Sequence, residues 1–161
     1  MSNIQNTYII PPMIQRLTGI IMTKKSRRGA AGMGKNERMK DAKYSYKNLE
    51  AYKESKTLVK QVYALLKKFP KEEQYALCDQ LRRAVISVPS NIAEGSGRTS
   101  AKDQAHFFEM AFGSLMEVDC QMDIAQDLSY VSSEEHEDVS KQISQVAALL
   151  SGMRRKILSI E

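Results

Sequence analysis

The chain of 161 residues has no tryptophan, two cysteines, four prolines and few aromatic side chains, 7% in all. Each scarcity removes a class of protein. Cys78 and Cys120 form no CxxC pair and sit in no Cys/His cluster at zinc spacing, so the sequence offers neither a disulfide framework nor a structural zinc site. Both fall within apolar helical patterns and read as small, reduced core residues, which fits a cytosolic compartment. No apolar run approaches the roughly 18 residues of a membrane span. Leu17 to Met22 is a short apolar patch behind Pro11-Pro12 and one basic residue, unlike the charged start and longer core of a secretory signal. Export and membrane insertion are not expected. No GxxxxGK[ST] or GxSxG motif is present, and nothing points to a cofactor or a small-molecule substrate.

Charge is plentiful but unevenly spread. Residues 1–48 hold ten Lys/Arg against Glu37 and Asp41, a net +8, whereas residues 49–161 hold 14 basic and 17 acidic residues, a net −3. The high overall basicity therefore belongs to the N-terminal stretch, and it says little about the field around a folded body. Residues 1–44 show no sustained period, and Lys24 to Lys43 is rich in Lys, Arg and Gly, as expected of a disordered basic extension. Three readings stay open for it: a nucleic-acid-binding arm, a solvated tail, or sequence upstream of the true start, with Met22, Met33 and Met39 as possible initiators. The last two are preferred, because aromatics that stack on bases are not interleaved with the charges.

Residues 45–161 read as one domain. Leu49, Tyr52, Leu58, Val59, Val62, Leu65 and Leu66 share one stripe of a first helix, from about Asn48 to Lys68. Pro70 with Glu72 and Glu73 is expected to open a second, since proline suits the first helical position and acids favour the positive end of the helix dipole. Its stripe is Leu77, Leu81, Ala84, Val85, Val88 and Ile92, and Gly95-Ser96-Gly97 is expected to stop it through a left-handed cap. Ser100 to Asp103 and Ser132 to Glu135 read as capping boxes that start a third and a fourth helix. Phe107, Phe108, Ala111, Leu115, Val118, Met122, Ala125 and Leu128 form the third stripe; Val139, Ile143, Val146, Leu149, Leu150, Met153, Ile157 and Leu158 form the fourth. Gly113-Ser114 inside the third helix fits a position where another helix approaches closely. Long helices with short connections predict an all-α, antiparallel up-down-up-down four-helix bundle.

The second helix also carries a polar stripe, Arg83, Ser87, Asn91 and Glu94, beside Pro89. Proline lacks an N–H and collides with the carbonyl of Val85, so a kink is expected, with Ser87, Ser90 and Asn91 satisfying the exposed backbone. A structural network of Arg83, Ser87, Pro89, Ser90, Asn91, Glu94 and Gly95 is the preferred reading over a binding site, because buried polar groups need partners whatever their role. A carboxylate-bridged di-metal centre would need Glu-x-x-His on two helices. The nearest approach is Asp103-x-x-His106 with Glu109, and His136 lies in an acidic capping turn, so no metal site is expected and such an enzyme is a remote alternative.

Phe69-Pro70-Lys71-Glu72-Glu73-Gln74-Tyr75-Ala76-Leu77, Gln80-Leu81-Arg82-Arg83-Ala84, Ser87-Val88-Pro89-Ser90-Asn91-Ile92-Ala93-Glu94-Gly95, Gly97-Arg98 and Ala111-Phe112-Gly113-Ser114-Leu115-Met116-Glu117 together resemble the bacterial four helix bundle family first described as 23S rRNA-intervening sequence proteins. Accessory variability determinants of diversity-generating retroelements are related to that family. The resemblance covers about residues 45–158. It implies an antiparallel bundle assembled as a ring-like homopentamer; that the protein is not an enzyme is the expectation from the missing catalytic and metal motifs. By the retroelement relatives it implies contact with RNA or DNA, or with a reverse-transcriptase-like protein, through a basic surface. Arg82, Arg83 and Arg98 are the basic residues of the matching motifs and the nominees for such a contact or for the subunit interface. A purely structural or protein-adaptor bundle is the alternative.

Overall fold

In the computed structural model, residues 45–159 are described, and the expectations for residues 1–44 lie outside them. Among the described residues there are four α-helices and no strand: α1 (Glu50–Leu65), α2 (Leu77–Ser96), α3 (Ala101–Asp127) and α4 (Ser133–Leu158). Short 3-10 turns flank the first two, at Ser45–Asn48, Leu66–Lys68 and Lys71–Tyr75. α2 packs against α1 and α3, and α4 packs against α3 and α1.

The apolar stripes meet in one core. Leu58 and Val62 of α1, Leu81, Val85, Val88 and Ile92 of α2, Leu115 and Val118 of α3, and Val146 and Ile157 of α4 are all fully buried. Each such side chain contributes about 1.5–3 kcal/mol relative to an exposed one. The stripes overreach at their ends, where Leu128 is 50% and Leu158 46% exposed. Only one cysteine joins the core: Cys78 is buried, whereas Cys120 is exposed, contrary to the expectation for both.

Both ends of α2 differ from the expected ones. α2 does not start at Pro70; that proline opens a 3-10 turn, and Ala76 (φ −113°, ψ −107°) separates the turn from the helix proper. Glu73 replaces the missing backbone partner, because its Oε2 accepts from the Leu77 N–H at 3.3 Å while its Oε1 accepts from the Tyr130 hydroxyl at 3.2 Å. At the other end, Gly95 lies inside α2, and the capping Gly97 is right-handed (φ −89°, ψ −9°). The one positive φ among the described non-glycine residues is at Ser129, 62°. There the Tyr130 N–H donates to Ala125 O and the Ser129 N–H to Gln126 O, which is a Schellman closure of α3 built on serine instead of glycine.

The two predicted capping boxes are unequal. Ser132 Oγ accepts from the Glu135 N–H and Glu135 Oε2 accepts from the Ser132 N–H, which completes the box of α4. Ser100 accepts from the Asp103 N–H, the first half only; aspartate is one methylene shorter than the usual glutamate and does not reach back.

Candidate functional site

Four-residue spacing puts Ser87 and Asn91 on the same side of α2, next to its apolar stripe. The Asn91 amide donates to Ser87 Oγ at 3.0 Å, and Asn91 is buried, at 8% exposure. Across the interface, Ser114 Oγ of α3 lies 3.0 Å from Ser87 Oγ and 3.0 Å from the Met110 carbonyl. The Ser114 hydroxyl has a single hydrogen to give. When it serves Met110, Ser87 can donate in turn, and the chain Asn91–Ser87–Ser114–Met110 is satisfied end to end.

Other residues nominated for that network lie elsewhere. Arg83, with its side chain 63% exposed, pairs with Asp79 at 3.1 Å. Glu94, 50% exposed, pairs with Arg98 one turn on. Ser90 donates to the Ile86 carbonyl at 2.8 Å, a bond within its own helix. Pro89 sits inside α2, which continues through it to Ser96. Gly95 has a packing role: a Cβ built on it would lie 2.8 Å from Phe108 Cε1 and 3.0 Å from Phe107 Cβ. Gly113 has open space where a Cβ would go, so the close contact in that part of α3 belongs to its neighbour Ser114.

The three arginines nominated for partner contact are held locally. Arg82 Nη1 donates to the Gln74 carbonyl at 3.4 Å, Arg83 faces Asp79, and Arg98 pairs with Glu94 while its guanidinium carbon lies 4.5 Å from the centre of the Phe107 ring. Exposed pairs of this kind contribute only about 0.2–1 kcal/mol, but they cancel charge where it stands.

Net positive charge gathers instead on α1 and its flanks. Residues 45–71 hold seven lysines and two glutamates, a net +5, whereas residues 72–138 hold four basic and 14 acidic residues, a net −10. Lys53, Lys56 and Lys60 are exposed, and Lys53 pairs with Glu50 at 2.7 Å. Tyr46 and Tyr52 stand beside them edge to face, with ring centres 4.9 Å apart, and Lys56 Nζ lies 5.7 Å from the centre of the Tyr52 ring. Sequence reading passed over this face because dividing the charge at residue 48 hid the contrast between helices.

Two further residues were missed. Gln104, 1% exposed, donates to the Arg98 carbonyl at 2.7 Å and closes the turn between α2 and α3. Its position one turn before Phe108, on the apolar stripe, was the available signal. Ser55 is fully buried in α1 and donates to the Tyr52 carbonyl at 2.8 Å. Among the described residues no group of three or more His, Cys, Asp or Glu side chains is placed to hold a metal ion. Burial pushes the Cys78 thiol above its usual range, with Glu73 adding to the rise and Arg82 opposing it, so the thiolate a nucleophile requires is disfavoured. No helix among the described residues is long and apolar enough to cross a membrane.

Comparison with curated proteins finds no match. Among solved structures, a crystal structure of a protein of unknown function from the S23 ribosomal protein family of Bacteroides thetaiotaomicron VPI-5482 aligns with a TM-score of 0.61 at 17% identity, covering 65% of this chain and 97% of that one. At that identity the likeness speaks for the four-helix fold. The family model of the 23S rRNA-intervening sequence protein matches residues 47–152, which span all of α1, α2 and α3 and most of α4. The chain therefore belongs to the 23S rRNA-intervening sequence protein family.

Proposed function

We propose that this protein is a cytoplasmic, non-enzymatic, self-assembling bundle that binds a macromolecule, either RNA or DNA or an enzyme that acts on nucleic acid. The observation that carries the reading is the segregation of charge, with a basic α1 region at +5 beside a stretch of −10. A polyanion is drawn to the first and repelled by the second, which gives a polar orientation as well as affinity.

The helices are read as up-down-up-down. In support, the cross-helix bonds to α4 run in opposite order along the chain: Glu54, early in α1, meets Gln142 while Lys68, just past its end, meets Glu135, and Glu109, early in α3, meets Arg154 while Asp123, late in α3, meets His136. A ring-like homopentamer is the proposed assembly. Its support is family membership together with unpartnered apolar surface, including Met110 at 43%, Met116 at 37% and Phe112 at 36% exposure. Phe112, Leu150 and Leu158 line a groove of about 420 Å³ between α3 and α4, closed at one side by the Arg154–Glu109 pair at 3.0 Å. This groove favours a protein contact, with another copy or with a partner enzyme.

The test is nuclease-treated, purified full-length chain measured by light scattering and by RNA binding over a salt series. A pentameric mass with salt-sensitive binding is expected. A monomer at all concentrations overturns the ring, and no binding at low salt overturns the nucleic-acid reading. Capture of a protein that survives nuclease treatment, without RNA affinity, selects the adaptor role.

A further inference from the structure

We infer that the trough between α1 and α2, walled by Lys53, Lys56 and Lys60 and floored by Tyr46 and Tyr52, binds a single-stranded nucleic acid. The inference rests on the nucleic-acid reading above and names the surface and the form of the ligand.

Two hollows form the trough. One, of about 520 Å³, is lined by Tyr46, Tyr52 and the lysines Lys53, Lys56 and Lys60; the other, of about 380 Å³, shares Tyr46, Tyr52, Lys56 and Lys60 and adds Ile86 and Pro89 of α2. One wall is therefore cationic and the other apolar. Pro89 is among the residues that line this second wall, with Ala93 one turn further along α2.

Lys53, Lys56 and Lys60 follow one another at three- and four-residue steps, so they share a face of α1 and cover about 10 Å of its length. That length matches about three phosphates at the roughly 3.4 Å spacing of a stacked strand. The opposing carboxylates are few: Glu50 pairs with Lys53, and Glu54 is engaged by the Gln142 amide at 2.8 Å, toward α4.

The tyrosines decide between ligands. A duplex keeps its base faces stacked inside, where an aromatic floor gains nothing, whereas a single strand turns them out. An acidic peptide satisfies the lysines but brings no row of π-faces to the rings. The combination of a cation row with two aromatic rings in one groove is the arrangement that single strands use.

The test uses the full chain and fluorescence anisotropy with a labelled 20-nucleotide single strand, the matching duplex, and poly-glutamate of similar charge. The triple variant Lys53→Ala/Lys56→Ala/Lys60→Ala is expected to lower the slope of log affinity against log salt by about 2, at roughly 0.7 per single-strand phosphate contact. Between 50 and 200 mM salt the wild type then loses about 20-fold more affinity than the variant. Tyr46→Leu is expected to weaken single-strand binding by at least about fivefold while leaving the duplex unaffected. Tyr52→Leu serves as a second variant, with circular dichroism to check folding. The triple variant Arg82→Ala/Arg83→Ala/Arg98→Ala is expected to keep the wild-type slope.

Binding of the single strand with an unchanged slope in the lysine variant overturns this surface and leaves the broader reading standing. Equal affinity for poly-glutamate, together with indifference to both tyrosine variants, also overturns it, because the groove is then a plain anion surface. Failure of the wild type to bind any nucleic acid at low salt removes both.

Discussion

Two glycine-to-alanine substitutions in helices that pack against each other should act in opposite directions. In a helix interior alanine is favoured over glycine by about 1 kcal/mol, through the lower entropy of the unfolded chain and better shielding of the backbone. Gly113 of α3 is exposed, and an added Cβ meets nothing within 4 Å, so Gly113→Ala should realise most of that gain. Gly95 of α2 is buried, and the same carbon would stand 2.8 Å from Phe108 Cε1 and 3.0 Å from Phe107 Cβ. Carbon atoms are at their best separation at about 3.5–4.0 Å, so something must retreat by roughly 0.5 Å or more. Phe108 is 2% exposed, and the Phe107 Cβ moves only with its backbone. Overpacking costs about 1–3 kcal/mol, and a contact as short as this one belongs to the upper part of that range, about 2–3 kcal/mol, which exceeds the propensity gain of about 1 and leaves a net loss of about 1–2 kcal/mol. For a domain of this size about 1 kcal/mol corresponds to roughly 4 °C, so Gly113→Ala should melt about 4 °C higher and Gly95→Ala about 4–8 °C lower than wild type. Calorimetry or urea unfolding at matched protein concentration measures both, since assembly shifts apparent stability. A Gly95→Ala protein as stable as wild type would refute the close-approach account of that glycine.

The buried network and the surface pairs should separate cleanly under mutation. Asn91→Ala is expected to cost about 1–3 kcal/mol, Glu94→Ala no more than about 0.5 kcal/mol, and an Asn91/Ser114 double-mutant cycle should give non-zero coupling; equal costs for Asn91 and Glu94 would count against the network. Ser129→Gly should stabilise the chain by roughly 1 kcal/mol, because glycine takes the left-handed conformation at the end of α3 without a Cβ clash, and urea midpoints check it. The Lys68 ammonium, followed by the Ser132 N–H, holds the Glu135 carboxyl below its ordinary value of 4.5. Because the folded value is the lower one, the stabilisation is present above about pH 4.5 and is lost as pH falls through the folded value. Glu135→Gln should therefore flatten the acid limb of stability against pH, and an unchanged limb in melts from pH 6 down to about pH 2.5 would contradict the pairing.

The helices were legible because their cause is local and repeated. Leu81, Val85, Val88 and Ile92 announce a buried face at helical spacing, and all four are buried. Ser132 and Glu135 announced a capping box for the same reason, since both halves of it lie within one turn. The polar site was legible only in part. Ser87 and Asn91 could be paired on paper as i and i+4 neighbours, but Ser114 enters from 27 residues away. Arg83 and Glu94 looked equivalent to them by spacing, yet a rotation of a few tens of degrees around α2 carries them from the α3 interface to solvent.

Periodicity and punctuation in the chain were enough for four helices, their approximate limits and a single apolar core, because burying a stripe of this period has one economical solution. Tertiary contact decided the remainder: why Gly95 has no side chain, which serine completes the Asn91 network, where α2 begins, and that the basic face is α1 beside two tyrosines. Each of these depends on how two helices cross and how closely they approach, a geometry set by side chains distant in sequence and carried by no local pattern.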